Sequence, residues 1–165
     1  RRSCSFLDHP ENKMNQLFEA FVRNFYKIEQ NSFKTVKREA IKWLLYAEQN
    51  DANMYLPEMV TDITLESEYN KIIIDTKFYK ETMAINYGKE KIISANLYQL
   101  FSYLLNQEDG SLRNNNAIGI LLYPTINREY SLDYKYLSHF IKIRTINMNT
   151  NWRKISSRLH EIISQ

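Results

Sequence analysis

Met14, Leu17, Phe18, Phe21, Val22, Phe25 and Ile28 recur at the i, i+3, i+4, i+7 spacing that gathers side chains on one side of a helix. "ENKMNQLFEAFVRNFYKIEQ" is therefore expected to form an amphipathic helix with a wide apolar face. Asp8 or Asn12 can cap its start, and Pro10 suits a first turn, where a missing N–H costs nothing. "SFKTVKREAIKWLLYAEQ" is ambiguous. Its propensities favour helix, but Val36, Ile41 and Trp43 suit extended chain, and we assign it to strand. "MVTDITLE" alternates with high β-branched content, "SEYN" interrupts it, and "KIIIDTKFY" resumes it. That pattern predicts a strand, a turn and a second strand.

"KETMAINYGKEK" reads as a loose loop. A second helix is expected in "ISANLYQLFSYLLNQ", where Ile93, Leu97, Leu100, Phe101, Leu104 and Leu105 share a face and Ser94 or Asn96 lies near the start. "EDGSLRNNN" is polar loop by composition. "AIGILLYPT" is a short continuous apolar run closed by a proline, as a buried strand would be. "SHFIKIRTINM" alternates again, and "TNWRKISSRLHEII" places Trp152, Ile155, Leu159 and Ile162 on one helical face. The order helix, strands, helix, strand, strand, helix contains no repeat and no linker. It predicts one α/β domain over residues 1–165.

Composition narrows the class. With 44% hydrophobic and 25% charged residues, the chain has the make-up of a folded globular protein. Its 22 basic and 19 acidic residues leave a net charge of +3, which permits a nucleic-acid partner without arguing for one. Cys4 is the single cysteine, so no internal disulfide can form, and a reducing cytoplasm fits. No apolar run approaches the ~20 residues needed to span a bilayer, so no membrane partner is expected. The opening "RRSCSFLDHP" has neither an initiator Met nor an apolar signal segment, and we read the chain as a C-terminal fragment of a longer one.

The candidate chemistry sits in "IIIDTK", residues 72–77. Side chains alternate along a strand, so Asp75 and Lys77 share one face and Thr76 points to the other. A turn at Glu68 and Tyr69 sets Asp62 opposite Asp75. Two carboxylates and an ammonium then meet at the end of a buried sheet. Carboxylates this close repel unless a cation intervenes. Mg²⁺, a hard ion held by one or two carboxylates plus waters and phosphate oxygens, suits them. His9, His139 and His160 share no motif and are assigned ordinary structural roles, as are Trp43 and Trp152. No G-x-x-x-x-G-K-[ST] occurs, so nucleotide hydrolysis would lie elsewhere.

"TDI" at 61–63 followed by "IIIDTK" resembles the PD-(D/E)xK nuclease core, a mixed central sheet flanked by helices, with Thr61 where that motif has proline. More closely, "LFEAF", "LPEMVTDITLE", "IIIDTKFYK", "NLYQLFSYLLNQ", "GILLYPT" and "INMNTNW" resemble the nuclease domain of the McrC family, the cleavage subunits of McrBC modified-cytosine restriction systems. The resemblance implies a metal-dependent endodeoxyribonuclease of type IV restriction, using Mg²⁺ or Mn²⁺. Asp62, Asp75 and Glu19 would serve the metal, with the carbonyl of Thr76, and Lys77 would assist the attacking water. Gln99 and Tyr103 resemble the Q-x-x-x-Y signature of RecB-type nucleases and would help to place DNA, as would Lys80. Lys89 and Lys91 fall in the same stretch. The implied partners are double-stranded DNA and a McrB-like AAA+ GTPase motor that engages a segment N-terminal to the nuclease. Two other readings stay open. One is a stand-alone or RecB-like nuclease acting on ends or branched DNA, and the other a non-catalytic DNA-binding or assembly module of the same fold.

Overall fold

In a computed structural model, which describes residues 10–78, 84–86, 89–126 and 128–164, a six-stranded mixed sheet is flanked by helices. The elements are α1 (Pro10–Glu29), β1 (Thr35–Lys37), β2 (Ile63–Glu66), β3 (Lys71–Thr76), β4 (Ala84–Asn86), β5 (Lys89–Lys91), α2 (Ser94–Asn106), α3 (Leu112–Asn115), β6 (Ile118–Thr125), β7 (Ser131–Tyr136), β8 (His139–Asn147) and α4 (Trp152–Ile163). The large sheet runs β1-β2-β3-β6-β8-β7, with β3, β6 and β8 parallel and the outer pairs antiparallel. This is the α/β, restriction-endonuclease-like architecture expected from the sequence.

The parallel centre explains the continuous apolar runs. A strand covered by helices on both faces cannot alternate apolar with polar, and every residue of β3 is buried. Ile72 and Ile74 face a core shared with Phe18, Val22, Phe25 and Tyr26 of α1 and Ile155, Leu159 and Ile162 of α4. Ile73 faces the opposite core, built on Leu100 and Leu104 of α2 with Leu121 and Ile143. Burying each isoleucine in full contributes about 1.5–3 kcal/mol. The hairpin register is the one set by the expected turn: Ile63 pairs with Ile74 and Glu66 with Lys71.

The helices add polar fastenings. The Tyr26 hydroxyl donates to the Leu159 carbonyl at 2.8 Å, joining α1 to α4 inside the core. Asn151 caps α4 by accepting from Lys154 N. Buried Arg158 donates to the carbonyls of Thr145 and Tyr130, tying that helix to the sheet edge.

Several expectations need correction. The apolar face of α1 is narrower than its sequence pattern, because Met14, Leu17 and Ile28 are exposed. The ambiguous stretch forms only three residues of strand, followed by a bridge between Ala40 and Val60. Beyond it the chain is irregular, held by Trp43 Nε1 donating to Pro57 O and Leu44 N to Asn106 Oδ1. The supposed loop after β3 contains the antiparallel pair β4–β5, and the polar loop after α2 contains α3, capped by Ser111. β7 was not expected. It pairs with β8 alone at the sheet edge and is largely exposed, so its residues carry little apolar pattern.

Gly119 on β6 shows how closely α2 approaches the sheet. A Cβ there would lie 2.7 Å from Leu104 Cδ1 and 3.0 Å from two atoms of Leu100, both buried leucines. Gly119→Ala should therefore destabilise the fold by about 1–3 kcal/mol through overpacking, measured by urea denaturation. The double variant Gly119→Ala/Leu104→Ala should lose less stability than the sum of the two single losses, because the trimmed leucine makes room.

Candidate active site

The side chain of Asp75 lies at the end of β3 with no exposure to solvent. Among the described residues Lys77 is the one cation that touches it: Nζ donates to Oδ1 at 3.2 Å and stands 3.0 Å from Oδ2, which receives no directed hydrogen bond from them. Burial pushes the Asp75 pKa up to about 7. Lys77 opposes the rise, and the nearby carboxylates of Asp62 and Glu19 add to it. A carboxylate in these surroundings is poised to accept a cation.

Lys77 is fixed from two directions. Its backbone N–H donates to Leu122 O at 3.0 Å, extending the β3–β6 pairing past the end of the strand. Its ammonium begins a chain on the other side: Lys77 Nζ donates to Gln99 Oε1 (2.7 Å), Gln99 Nε2 to Tyr103 OH (2.8 Å), and Tyr103 OH to Val60 O (3.0 Å). A backbone carbonyl ends the chain and so sets the direction of every donor in it. Gln99, expected with Tyr103 to place DNA, bonds Lys77, and buried Tyr103 bonds Gln99 in turn. The i, i+4 spacing on α2 is what lets the two side chains meet.

Asp62 owes its position to an irregularity. Between the Lys37–Thr64 pair and the Ala40–Val60 bridge, Arg38 and Glu39 face Thr61, Asp62 and Ile63. The extra residue makes a β-bulge, which re-aims side chains locally. The Asp62 carboxylate accepts from the backbone N–H of Thr76 (2.8 Å) and from its hydroxyl (3.0 Å), both at Oδ2. The Thr76 side chain thus reaches Asp62, a contact that strand alternation did not suggest. Thr61 braces the bulge: its N–H donates to Glu39 O (2.9 Å), and its hydroxyl accepts from Glu39 N and bonds that of Thr64. A proline at this position would lose the first of these bonds.

One stripe of α1 faces the same corner at i, i+4, i+8. Asn15 Oδ1 accepts from Phe78 N at 3.0 Å, Glu19 accepts from Arg23 at 2.5 Å, and Arg23 also donates to Asp62 O at 3.2 Å. Arg38 Nε lies 3.6 Å from Glu19. The sequence reading found Glu19 but missed Asn15, Arg23 and Arg38. Only the polar interruption of the apolar helix pattern at 15, 19 and 23 could have signalled the first two. Lys80 lies outside the described residues, as do the side chains of Lys89 and Lys91. His139 is buried and bonds Ala117 O and Glu108, a structural role as expected.

A family model described as "McrBC 5-methylcytosine restriction system component" matches residues 12–124. The chain belongs to this family. It is also similar to the "Type IV methyl-directed restriction enzyme EcoKMcrBC" of Escherichia coli (strain K12), with 33% identity over 157 residues. That match covers 94% of this chain and 44% of the relative, so the chain spans less than half the relative's length. The resemblance to McrC seen in the sequence is borne out at the level of this family. Among the described residues no helix is long and apolar enough to cross a membrane.

The residues present fit a hard divalent cation. Asp75 offers a buried oxygen without a directed hydrogen bond, and Asp62 stands close enough to raise the Asp75 pKa. Among the described residues no three acidic, histidine or cysteine side chains converge as a metal cage. Glu19 is drawn onto Arg23 and Arg38. Two carboxylates still suffice for Mg²⁺, which keeps several of its waters.

The raised Asp75 pKa has a thermodynamic sign. A carboxyl group whose folded pKa exceeds its unfolded value of 3.8 supports the fold while protonated, and that support is lost as pH rises from about 4 to about 7. Asp75→Asn, which mimics the protonated form, should therefore be more stable than the parent above pH 7 in EDTA, by a few kcal/mol at about 1.4 kcal/mol per pKa unit. The difference should vanish towards pH 4 in urea titrations. A pH-independent difference would contradict this account.

Proposed function

We propose that this chain is the DNA-cutting domain of a modified-cytosine restriction system, hydrolysing phosphodiester bonds with Mg²⁺. The observation that carries the reading is the buried, cation-seeking Asp75, flanked by Asp62 and fixed beside Lys77. The description of the family model supports a restriction role, as does the printed name of the E. coli relative.

In this reading Asp62 and Asp75 hold the ion, with the carbonyl of Thr76 between them, and Glu19 supports the site from α1. The bound ion supplies charge neutralisation for the phosphate under attack. Lys77 places and polarises the attacking water. Its reach is limited by Gln99, which takes one of its three donors and thereby fixes where the others point. Tyr103 acts one step further back, by orienting Gln99. Asn15 holds the backbone just past Lys77, so the strand end cannot swing away from α1. Modified-cytosine recognition and GTP hydrolysis belong to an AAA+ partner in this account, and the substrate is double-stranded DNA.

Cleavage of methylated plasmid by the full-length protein with its GTPase partner tests the proposal. Asp75→Ala and Lys77→Ala should each lower kcat by about 100-fold or more. Gln99→Ala should lower kcat by about 10-fold with little change in KM, as befits a residue that positions another. Mg²⁺-independent cleavage, or full activity in Asp75→Ala, would remove the nuclease reading. Cutting that needs DNA ends, without methylation or GTP, would instead favour a stand-alone nuclease.

A further inference from the structure

The proposed site is ringed by acid. Asp62 and Glu19 both act electrostatically on Asp75, and a DNA phosphate brought to Asp75 meets the same negative charge. Most nearby cations are already engaged. Lys77 is divided between Asp75 and Gln99. Arg23 is held by Glu19 and by the Asp62 carbonyl. Lys71 is buried between Glu39 and Glu66, and Lys37 lies 2.9 Å from Glu66.

Arg38 differs from all of these. Its side chain is 55% exposed, and its ion contact with Glu19 is 3.6 Å from Nε, longer than a hydrogen bond. An exposed contact of that length holds the guanidinium weakly. Its position is well defined nonetheless. Arg38 follows β1 directly and lies on the short arm of the bulge, across from Asp62, with its neighbour Glu39 bonded to Thr61 on both backbone groups. Its charge also reaches α2. The Tyr103 pKa is pushed up to about 12, first by burial and then by Asp75, and Arg38 acts against that rise. By contact, Arg38 stands beside Glu19 of α1, on the bulge that carries Asp62.

We propose that Arg38 is the phosphate anchor of this site: on binding DNA it exchanges the Glu19 carboxylate for a backbone phosphodiester of the bound strand. The proposal rests on the nuclease reading. No covalent step is involved. The planar guanidinium offers two parallel donors to phosphate oxygens, a geometry that the single Nε contact with Glu19 leaves free. The exchange also leaves Glu19 with Arg23 as its remaining cation. Arg38 is thus a substrate-binding residue, and its loss should appear in DNA affinity.

The test is binding of a fluorescent DNA duplex by the full-length protein in EDTA, across a range of salt concentrations. Arg38→Ala should bind about 10-fold more weakly at low salt, with a log–log salt slope smaller by about 0.9, as expected for one lost phosphate contact. Arg38→Lys should recover the slope and part of the affinity. Arg153→Ala, which removes an exposed charge from α4, serves as the charge control and should match the parent. Unchanged affinity and slope in Arg38→Ala would overturn the proposal, as would an equal loss in Arg153→Ala. Cleavage of plasmid in Mg²⁺ by the same preparations separates the two readings. A parent that cuts DNA, together with an Arg38→Ala variant that binds normally, removes only the anchor. A parent that does not bind DNA removes both.

Discussion

A carboxylate with no access to water is the constraint around which this corner of the molecule is organised. Desolvation works against the charge on Asp75 at all times, and a neighbouring cation offsets it. In the protein alone that cation is Lys77, held to the carboxylate by a spacing of two residues along the chain. Asp75 can be so deeply placed because β3 pairs with a neighbour on both sides and is covered by α1 and α4 on one face and α2 on the other. The three isoleucines ahead of it are thus part of the site, since they decide that its acid stays dry.

Precision in the surrounding groups comes from fastenings to backbone. Lys77, Phe78 and Thr76 each use a main-chain N–H to meet a different element: β6, α1 and the bulge at Asp62. The end of β3 is pinned residue by residue where strand pairing on the β2 side has already stopped. Side chains anchored to such a backbone lose little freedom on meeting a substrate, which is the condition for a preorganised site.

Much of this was legible in the sequence, for reasons that can be stated. β3 and β6 are covered on both faces, so burial wrote itself as apolar runs. The hairpin register followed from where "SEYN" interrupts the pattern, and the Ile63–Ile74 pair matches it, with Asp62 beyond the paired residues in the bulge. α2 and α4 carry clean helical periodicity. What could not be read depends on contacts without a periodic signature. The bulge needs two registers to be compared across strands, β1–β2 and the Ala40–Val60 bridge, and no single segment records it. Gln99 and Tyr103 were found as a pair, but their direction depends on where Lys77 ends. β7 escaped because an exposed edge strand has no core to please. Leu17 and Ile28 misled in the opposite way, since apolar residues on a helix need not all be buried.

Thr61 carries a consequence of another kind. Where a proline would stiffen the approach to Asp62 through its ring, this chain uses three hydrogen bonds, two with Glu39 and one with Thr64. A ring constrains the chain whether or not it is folded, whereas these bonds exist only when the two arms of the bulge lie side by side. The order of the Asp62 corner is therefore conditional on local pairing.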